Sequence, residues 1–162
     1  MTSIDWPTSS LDPIARAKVL GHAIPSAAWH ETIVDVPYER AWSWISDLER
    51  SVPSFDRVVS RLRVRDVRGV DGAEQLRLSV SNLGVPIPFE ARIEEGFCLM
   101  QARARLYLVV MAAVPVDDGR RAHVLHLEAI PLPGTGFLRR WIQREVNNDL
   151  ANMARLLTRS SR

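Results

Sequence analysis

Three side chains of a type that transfers protons stand on otherwise apolar segments of this sequence: His30, Tyr107 and Asp149. A histidine changes its charge near neutral pH, and a tyrosine hydroxyl can donate a hydrogen bond to a ligand carbonyl. A carboxylate on an apolar face requires a partner or a raised pKa. If these side chains face a common interior, they are candidates for general acid–base catalysis. The alternatives are a histidine at the rim of a strand, and an aspartate held by a structural ion pair or by water.

Metal and nucleophile chemistry have less support in the sequence. His123 and His126 point to opposite faces of one predicted strand, so at most one faces inward, and with Glu128 they form no recognisable metal-binding spacing. Cys98 is the only cysteine, which excludes an intrachain disulfide and a cysteine-rich zinc site. No serine lies in a nucleophile elbow, and no glycine-rich loop suits a phosphate. We therefore predict no metal and no cofactor.

The composition is typical of one soluble globular domain: 162 residues, 46% of them hydrophobic and 25% charged. Lys and Arg number 21 against 19 for Asp and Glu, so we expect no binding to nucleic acid. The longest apolar run, residues 106–116, is too short to cross a bilayer, and we expect no stable membrane insertion. The N-terminus has no apolar signal segment, and we expect a cytoplasmic protein. The sequence does not indicate an oligomeric state.

The chain divides into two parts. Residues 1–28 are predicted as an N-terminal extension with at most one short helix, which would follow Asp12-Pro13 and end at Gly21. This extension is interpreted as a loosely packed arm, with a lid or a dimer contact as alternatives. Residues 29–162 are predicted as a ligand-binding domain.

The pattern from residue 29 onward predicts an α+β fold of the helix-grip type. A curved antiparallel sheet of six to seven strands would wrap around one long C-terminal helix, with two short helices after the first strand. The predicted strands cover residues 29–36, 58–67, 74–81, 87–94, 97–116 (divided near 103–106) and 122–131, and the predicted helices cover 37–50, 54–57 and 137–158.

Strict alternation along the strands separates an apolar face from a charged one. The apolar positions, which should face inward, are Leu62, Val64, Leu76, Leu78, Val80, Phe89 and Ala91. The opposite positions carry arginines, namely Arg61, Arg63, Arg65, Arg77 and Arg92. We interpret the arginines as a solvated outer face, with an anion-binding patch as the alternative.

The C-terminal helix should cover the apolar face with a broad stripe of its own, because steps of about 100° per residue bring apolar positions together. The members of this stripe are Leu138, Trp141, Ile142, Val146, Leu150, Met153, Leu156 and Leu157. Asp149 falls inside the stripe and Glu145 near its edge. We predict that Trp141, with its apolar neighbours, packs against the sheet.

Residues 34–47, which read VDVPYERAWSWISD, resemble the opening of the START-like superfamily. This superfamily, also called SRPBCC or Bet v 1-like, includes polyketide cyclases/dehydrases and lipid-transport proteins. Its opening is a strand, a proline, a glutamate, a tryptophan and an aspartate in this order, and Pro37, Glu39, Trp42 and Asp47 stand at the matching positions. The resemblance covers about residues 29–158. It implies a helix-grip fold with a cavity for an apolar ligand.

The function hypotheses start from that cavity, which we predict to enclose at least about 300 Å³ between the helix and the sheet. The first is a carrier or sensor of a lipid, polyketide or other apolar metabolite; the second is a cofactor-independent polyketide cyclase, aromatase or dehydratase; the third is a protein-interaction module. A dry apolar wall favours carriage, whereas polar groups converging on one point favour chemistry. The predicted ligand-binding residues are Leu62, Val64, Leu76, Leu78, Val80, Phe89, Ala91, Tyr107, Phe137, Trp141, Glu145 and Asp149.

Overall fold

The computed structural model describes residues 11–82, 84–103 and 106–159. Four helices, one 3-10 turn and seven strands make up this part of the chain. In chain order they are α1 (Pro13–Ala23), β1 (Ala28–Val34), α2 (Tyr38–Ser46), α3 (Leu48–Phe55), β2 (Val59–Val70), β3 (Ala73–Asn82), β4 (Val85–Glu94), β5 (Phe97–Ala102), β6 (Leu108–Val116), β7 (Arg121–Ala129), the 3-10 turn Thr135–Leu138 and α4 (Arg139–Arg159).

The seven strands form one antiparallel sheet in the order β1-β7-β6-β5-β4-β3-β2. Strands β2 to β7 are neighbours in sequence, and β1 closes the row beside β7. The helices α2, α3 and α4 lie on the concave face, while α1 packs on the opposite, convex face. The predicted α+β helix-grip architecture is confirmed.

The concave face carries the main apolar core. Leu62, Leu76, Leu78, Val80, Phe89 and Ala91 are all buried there, together with Trp42 and Ile45 of α2 and with Val52 and Phe55 of α3. Of the positions predicted to face inward, only Val64 is half-buried, because β2 is an edge strand. The alternation of apolar and polar residues along the strands therefore predicted correctly which face of the sheet carries the core.

The short helices begin and end differently from the prediction. The expected helix over residues 37–50 is divided at Asp47, so α2 ends at Ser46 and α3 begins at Leu48. The helix α3 continues through Pro53, which is the sixth of its eight residues, although a proline at that position removes one helical hydrogen bond. Both helices direct apolar side chains at the sheet, so the division changes the boundaries and leaves the packing as expected.

The helix α1 lies against β6, β7 and β1 on the convex face. The Asp12 side chain accepts a hydrogen bond from the Ala15 backbone N–H at 2.9 Å and caps its first turn. Ile14 and Ala17 are buried, and Arg16 forms an ion pair with Glu94 at 2.5 Å. The described part of the N-terminal extension thus shares a core with the sheet, unlike a loosely packed arm.

The long helix α4 buries a narrower stripe than expected. Its buried members are Ile142, Val146, Asp149, Leu150, Met153 and Leu157. Phe137 lies in the 3-10 turn before the helix and is 79% exposed, and Trp141 is 54% exposed. The prediction that Trp141 packs against the sheet is wrong, and Phe137, which was predicted only as a ligand-binding residue, is exposed. Each residue of a helix is rotated by about 100° from the one before it, so Trp141 lies on the side of α4 that faces away from the buried stripe, although the next residue, Ile142, is buried.

Candidate functional site

Four polar side chains meet in the interior at the β7 side of the concave face. His126 and Glu128 are two residues apart on β7 and therefore point to the same face. Tyr107 immediately precedes β6, the neighbour of β7, and Asp149 comes from the buried side of α4. His126 is 1% exposed, Glu128 3% and Asp149 4%. We call these four residues the polar cluster.

The hydrogen bonds of the polar cluster centre on Glu128. Its Oε1 lies 3.1 Å from His126 Nε2, and its Oε2 accepts a hydrogen bond from the Tyr107 hydroxyl. The same His126 Nε2 lies 3.9 Å from Asp149 Oδ2. Both carboxylates are thus within reach of one imidazole nitrogen, in a place from which bulk water is excluded.

Burial and pairing act in opposite directions on two members of the polar cluster. Burial lowers the pKa of His126, but the hydrogen bond and the charge of Glu128, with the charges of Asp149 and Asp56, raise that pKa overall. Burial raises the pKa of Glu128, but the contacts with His126, Tyr107 and Asp149 lower that pKa overall. Both shifts favour the charged forms of the pair, an imidazolium and a carboxylate.

Asp149 differs from its neighbours because its pKa lies near neutrality. Burial raises the pKa of Asp149 to about 7; His126 opposes this rise, and the negative charges of Asp56, Glu128 and Glu145 add to it. Burial also raises the pKa of Tyr107, so this hydroxyl stays protonated. Asp149 therefore exchanges its proton around neutral pH.

One atom of the polar cluster has no partner. His126 Nδ1 is buried and makes no hydrogen bond to any described residue. The ring of Phe55 packs edge-on against the same imidazole, with 5.6 Å between centroids. Phe55 also lines an open concavity of about 430 Å³, with Asp56 and Asn152 among its other walls. A buried imidazole nitrogen without a partner is a place where a ligand oxygen can gain a hydrogen bond.

The same donor set bears on the prediction of no metal. One donor atom each from His126, Glu128 and Asp149 lie within 4.8 Å of one another. The sequence spacing concealed this arrangement, because the third residue comes from α4. Imidazole and carboxylate oxygens are ligands of divalent cations. The hydrogen bonds of the described residues also account for these atoms as an acid–base network, and the absence of a metal stays a prediction.

Two of the three predicted acid–base candidates, Tyr107 and Asp149, are brought together in the polar cluster, and His30 is not. His30 pairs in register with His126 and so points to the same face, but β1 is an edge strand and the His30 side chain is exposed. His30 thus lies at the rim of the strand, the alternative given above, and outside the buried cluster. Glu145 is half-buried beside the cluster and acts on Asp149 through its charge.

Sequence reasoning missed His126 and Glu128 as site residues. They share parity with Ala122 and Val124, which both lie in the concave core, but the other face of β7 also carries polar residues, so parity alone did not identify them. A buried strand that carries two ionisable residues on its core face needs partners for them. Asp149 on the apolar stripe of the last helix was the matching partner.

The surface concavities of the described chain bear on the predicted cavity between α4 and the sheet. Five surface concavities of the described chain have volumes of about 260 to 600 Å³. Of these five, only the one beside Phe55 reaches α4, at the edge where Asn152 and Arg155 meet α3 and β2. The residues predicted to line a cavity between α4 and the sheet are mostly buried against one another. The described conformation therefore offers no evidence for the expected enclosed volume. The concavity beside Phe55 is linked to the polar cluster through the ring contact between Phe55 and His126.

Comparison with known proteins places the fold. No family model matches the chain, and no curated protein matches its sequence. Among solved structures, the Zhui aromatase/cyclase from Streptomyces sp. R1128 is 14% identical, with a TM-score of 0.57 over 84% of this chain and 95% of that one. A START superfamily protein from Mycobacterium smegmatis is 18% identical, with a TM-score of 0.54 over 82% of this chain and 95% of that one.

A third solved structure covers a larger part of the chain. The di-domain ARO/CYC StfQ from the steffimycin biosynthetic pathway is 12% identical, with a TM-score of 0.53 over 91% of this chain and 55% of that one. At these identities the likeness shows the fold. The chain has the START-like helix-grip fold, as the residues after β1 indicated. In addition, none of the described helices has the length and apolar character needed to span a membrane.

Proposed function

We propose that the concave face binds an apolar small molecule that carries oxygen groups, and that the polar cluster performs acid–base chemistry on it. The observation that carries the proposal is the convergence of Tyr107, His126, Glu128 and Asp149 in a buried site walled by aliphatic side chains. A fixed array of polar groups at one point of an apolar wall is the arrangement that favours chemistry over simple carriage.

The reaction class is the dehydration of a β-hydroxy carbonyl compound, as in a cyclase or dehydratase that needs no cofactor. His126 Nδ1–H donates a hydrogen bond to the substrate carbonyl and stabilises the enolate as it forms. The Asp149 carboxylate removes the proton from the α-carbon, and the same proton then passes to the departing hydroxyl. The C–O bond breaks, a C=C bond forms and water leaves, so that Asp149 returns to its starting form.

The other two members of the polar cluster position these groups. Glu128 keeps His126 protonated and oriented through the 3.1 Å contact with Nε2. Tyr107 donates to the second oxygen of Glu128 and holds the carboxylate in that orientation. Substrate entry requires Phe55 to move away from His126, towards the concavity that Phe55 lines. The names of two structural neighbours, an aromatase/cyclase and an ARO/CYC protein, support this reaction class.

A second candidate function is non-covalent carriage of an apolar metabolite. The observation that favours it is the aliphatic surface of β2 to β4, where Leu62, Leu76, Leu78 and Val80 carry no polar group. In this case the polar cluster would orient a ligand without changing it. Catalysis requires Asp149 for turnover, whereas carriage requires only the apolar wall for binding.

The test uses a medium-chain β-hydroxyacyl thioester and follows the enoyl product by mass spectrometry. We expect turnover by the wild type, and a loss of about 100-fold or more in Asp149→Asn and His126→Gln, the usual contribution of general acid–base catalysis. His30→Gln is the matched control on the exposed strand edge, and it should retain activity. Addition of EDTA should also leave the rate unchanged.

Three results would count against acid–base catalysis. Saturable binding of the neutral dye Nile red without turnover by the wild type would favour carriage. Full activity in Asp149→Asn would show that the cluster is structural. Loss of activity in EDTA, with recovery on addition of a divalent cation, would make His126, Glu128 and Asp149 metal ligands.

A further inference from the structure

The convex face of the sheet carries a second set of charged side chains, far from any use in the chemistry above. On this face α1 lies against β6, β7 and β1, and the outward side chains of β2, β3 and β4 are largely exposed. Two adjoining concavities of about 260 and 360 Å³ lie there, and both are lined by Arg77 and Glu90.

The larger concavity lies at a gap in the sheet. β5 ends at Ala102, which pairs with Phe89, so the first residues of β4 have a partner strand on one side only. Pro86 and Pro88 lie in this half-paired segment and line the concavity. Proline has no N–H with which to recruit a further strand, so the sheet stays open beside them.

Three arginines from separate segments line this larger concavity: Arg65 of β2, Arg77 of β3 and Arg103, which follows β5. Glu90 is the only acidic residue in its lining. Register explains why Arg77 and Arg103 are close, because Arg77 pairs with Glu90, and Glu90 pairs with Gln101, two positions before Arg103. Arg65 lies next to Asp66, the register partner of Arg77, at an irregularity of β2. Side chains on one face of neighbouring paired strands lie side by side.

These three arginines also lack ion-pair partners among the described residues, whereas the other two arginines around the smaller concavity, Arg68 and Arg92, have them. Arg68 contacts Asp66 at 3.1 Å, and Arg92 contacts Glu94 at 2.6 Å. No ion pair in the described chain includes Arg65, Arg77 or Arg103. The larger concavity therefore has an unbalanced positive charge.

We propose that the concavity lined by Arg65, Arg77 and Arg103 is a binding site for a small organic anion that carries phosphate or carboxylate groups. Guanidinium groups bind both anions through paired hydrogen bonds, and a volume of about 360 Å³ suits a small molecule. A second copy of the chain is a poor occupant, because a symmetric contact would bring like charges together. Nucleic acid is disfavoured because acidic residues such as Glu90 and Asp66 interrupt the basic surface.

Calorimetric titration at low salt tests this site with inorganic pyrophosphate and with citrate as separate probes, which distinguishes phosphate from carboxylate recognition. We expect saturable binding of at least one probe, with an affinity that falls as salt is added. The triple substitution Arg65→Gln, Arg77→Gln and Arg103→Gln should weaken binding by about tenfold or more, the effect of losing charge-assisted hydrogen bonds.

The matched control is the double substitution Arg61→Gln and Arg63→Gln, which removes exposed arginines of the same strand outside both concavities. Its affinity should stay within about twofold of the wild type. No saturable binding of either probe, or an equal loss in both variants, would overturn the proposal. Binding of a single-stranded RNA oligonucleotide with neither small anion bound would assign the surface to nucleic acid and equally overturn it. All the altered side chains are exposed, and circular dichroism should show unchanged folding.

Discussion

Replacement of Asp149 by Asn should stabilise the protein at alkaline pH, although it removes a buried ionisable group. Asp149 is 4% exposed and close to the negative charges of Asp56 and Glu128, so the folded protein holds it most easily as the neutral acid. Asn is neutral at all these pH values and has nearly the same shape. Its amide also replaces the hydrogen bond that protonated Asp149 makes with Glu128.

The magnitude follows from the shift of the pKa of Asp149 from 3.8 to about 7 on folding. Between these values the folded state binds a proton that the unfolded state has lost, so stability falls as pH rises through this window. For this shift, linkage gives an advantage of Asn over Asp of at most about 4 kcal/mol at about pH 8, and about 2 kcal/mol at about pH 5. Below about pH 4 both states hold the proton, and the advantage disappears. The raised pKa of His126 also makes the wild type less stable as pH rises, because the stability contributed by the protonated imidazole is lost as pH passes the pKa of His126 in the folded state.

Urea denaturation of both proteins from about pH 4 to about pH 8, followed by circular dichroism, measures this difference. Glu145→Gln is the control one turn away on α4, and its half-buried side chain should produce a much smaller effect. If Asp149→Asn is less stable than the wild type at about pH 8, Asp149 is ionised and paired with His126 in the folded state. A difference that does not vary with pH would equally refute the reasoning.

Three further predictions concern stability alone. Trp42→Ala should lower the free energy of unfolding by about 3–5 kcal/mol because the ring is buried, whereas Trp141→Ala should lower it by less than about 1 kcal/mol because that ring is half exposed. Equal losses of stability in urea denaturation would contradict the described packing of the two rings. Tyr107→Phe should cost about 1–3 kcal/mol, since a buried carboxylate loses its donor, and a neutral outcome would deny that hydrogen bond an energetic role. Gly96→Ala should lower the melting temperature clearly, because φ at Gly96 is +71° and the added methyl would lie 2.7 Å from the Ala113 carbonyl oxygen. An unchanged melting temperature would show that the turn relaxes freely.

The fold was accessible from sequence because its signals are local and repeated. Period-two alternation through Leu76, Leu78 and Val80 assigned the core face of β3 without knowledge of its neighbours. Helix boundaries and the facing of Trp141 were less accessible. Trp141 stood at the edge of the broad predicted stripe, and the structure buries a narrower stripe that excludes it, because tertiary contacts decide which part of an apolar face is covered.

The candidate site was accessible only in part, for a different reason. Asp149 was identifiable because it stands alone in an apolar stripe, and Tyr107 because of its hydroxyl. His126 and Glu128 belong to a strand with polar residues on both faces, so parity alone did not show which face is buried. The packing of α4 against β7 shows which face of β7 is buried. This packing joins segments about 20 residues apart in sequence, and periodicity within a single segment does not predict it.

The most direct test of the central claim is whether a ligand on the concave face is sensed by His126. Titration with the neutral dye Nile red, followed by NMR of the imidazole nitrogens and assigned with His126→Gln, measures this directly. We predict saturable binding in which the His126 signals shift and those of the exposed edge residue His30 stay in place. The absence of saturable binding, or saturable binding that leaves the His126 signals unchanged, would contradict the assignment of the polar cluster as the functional site.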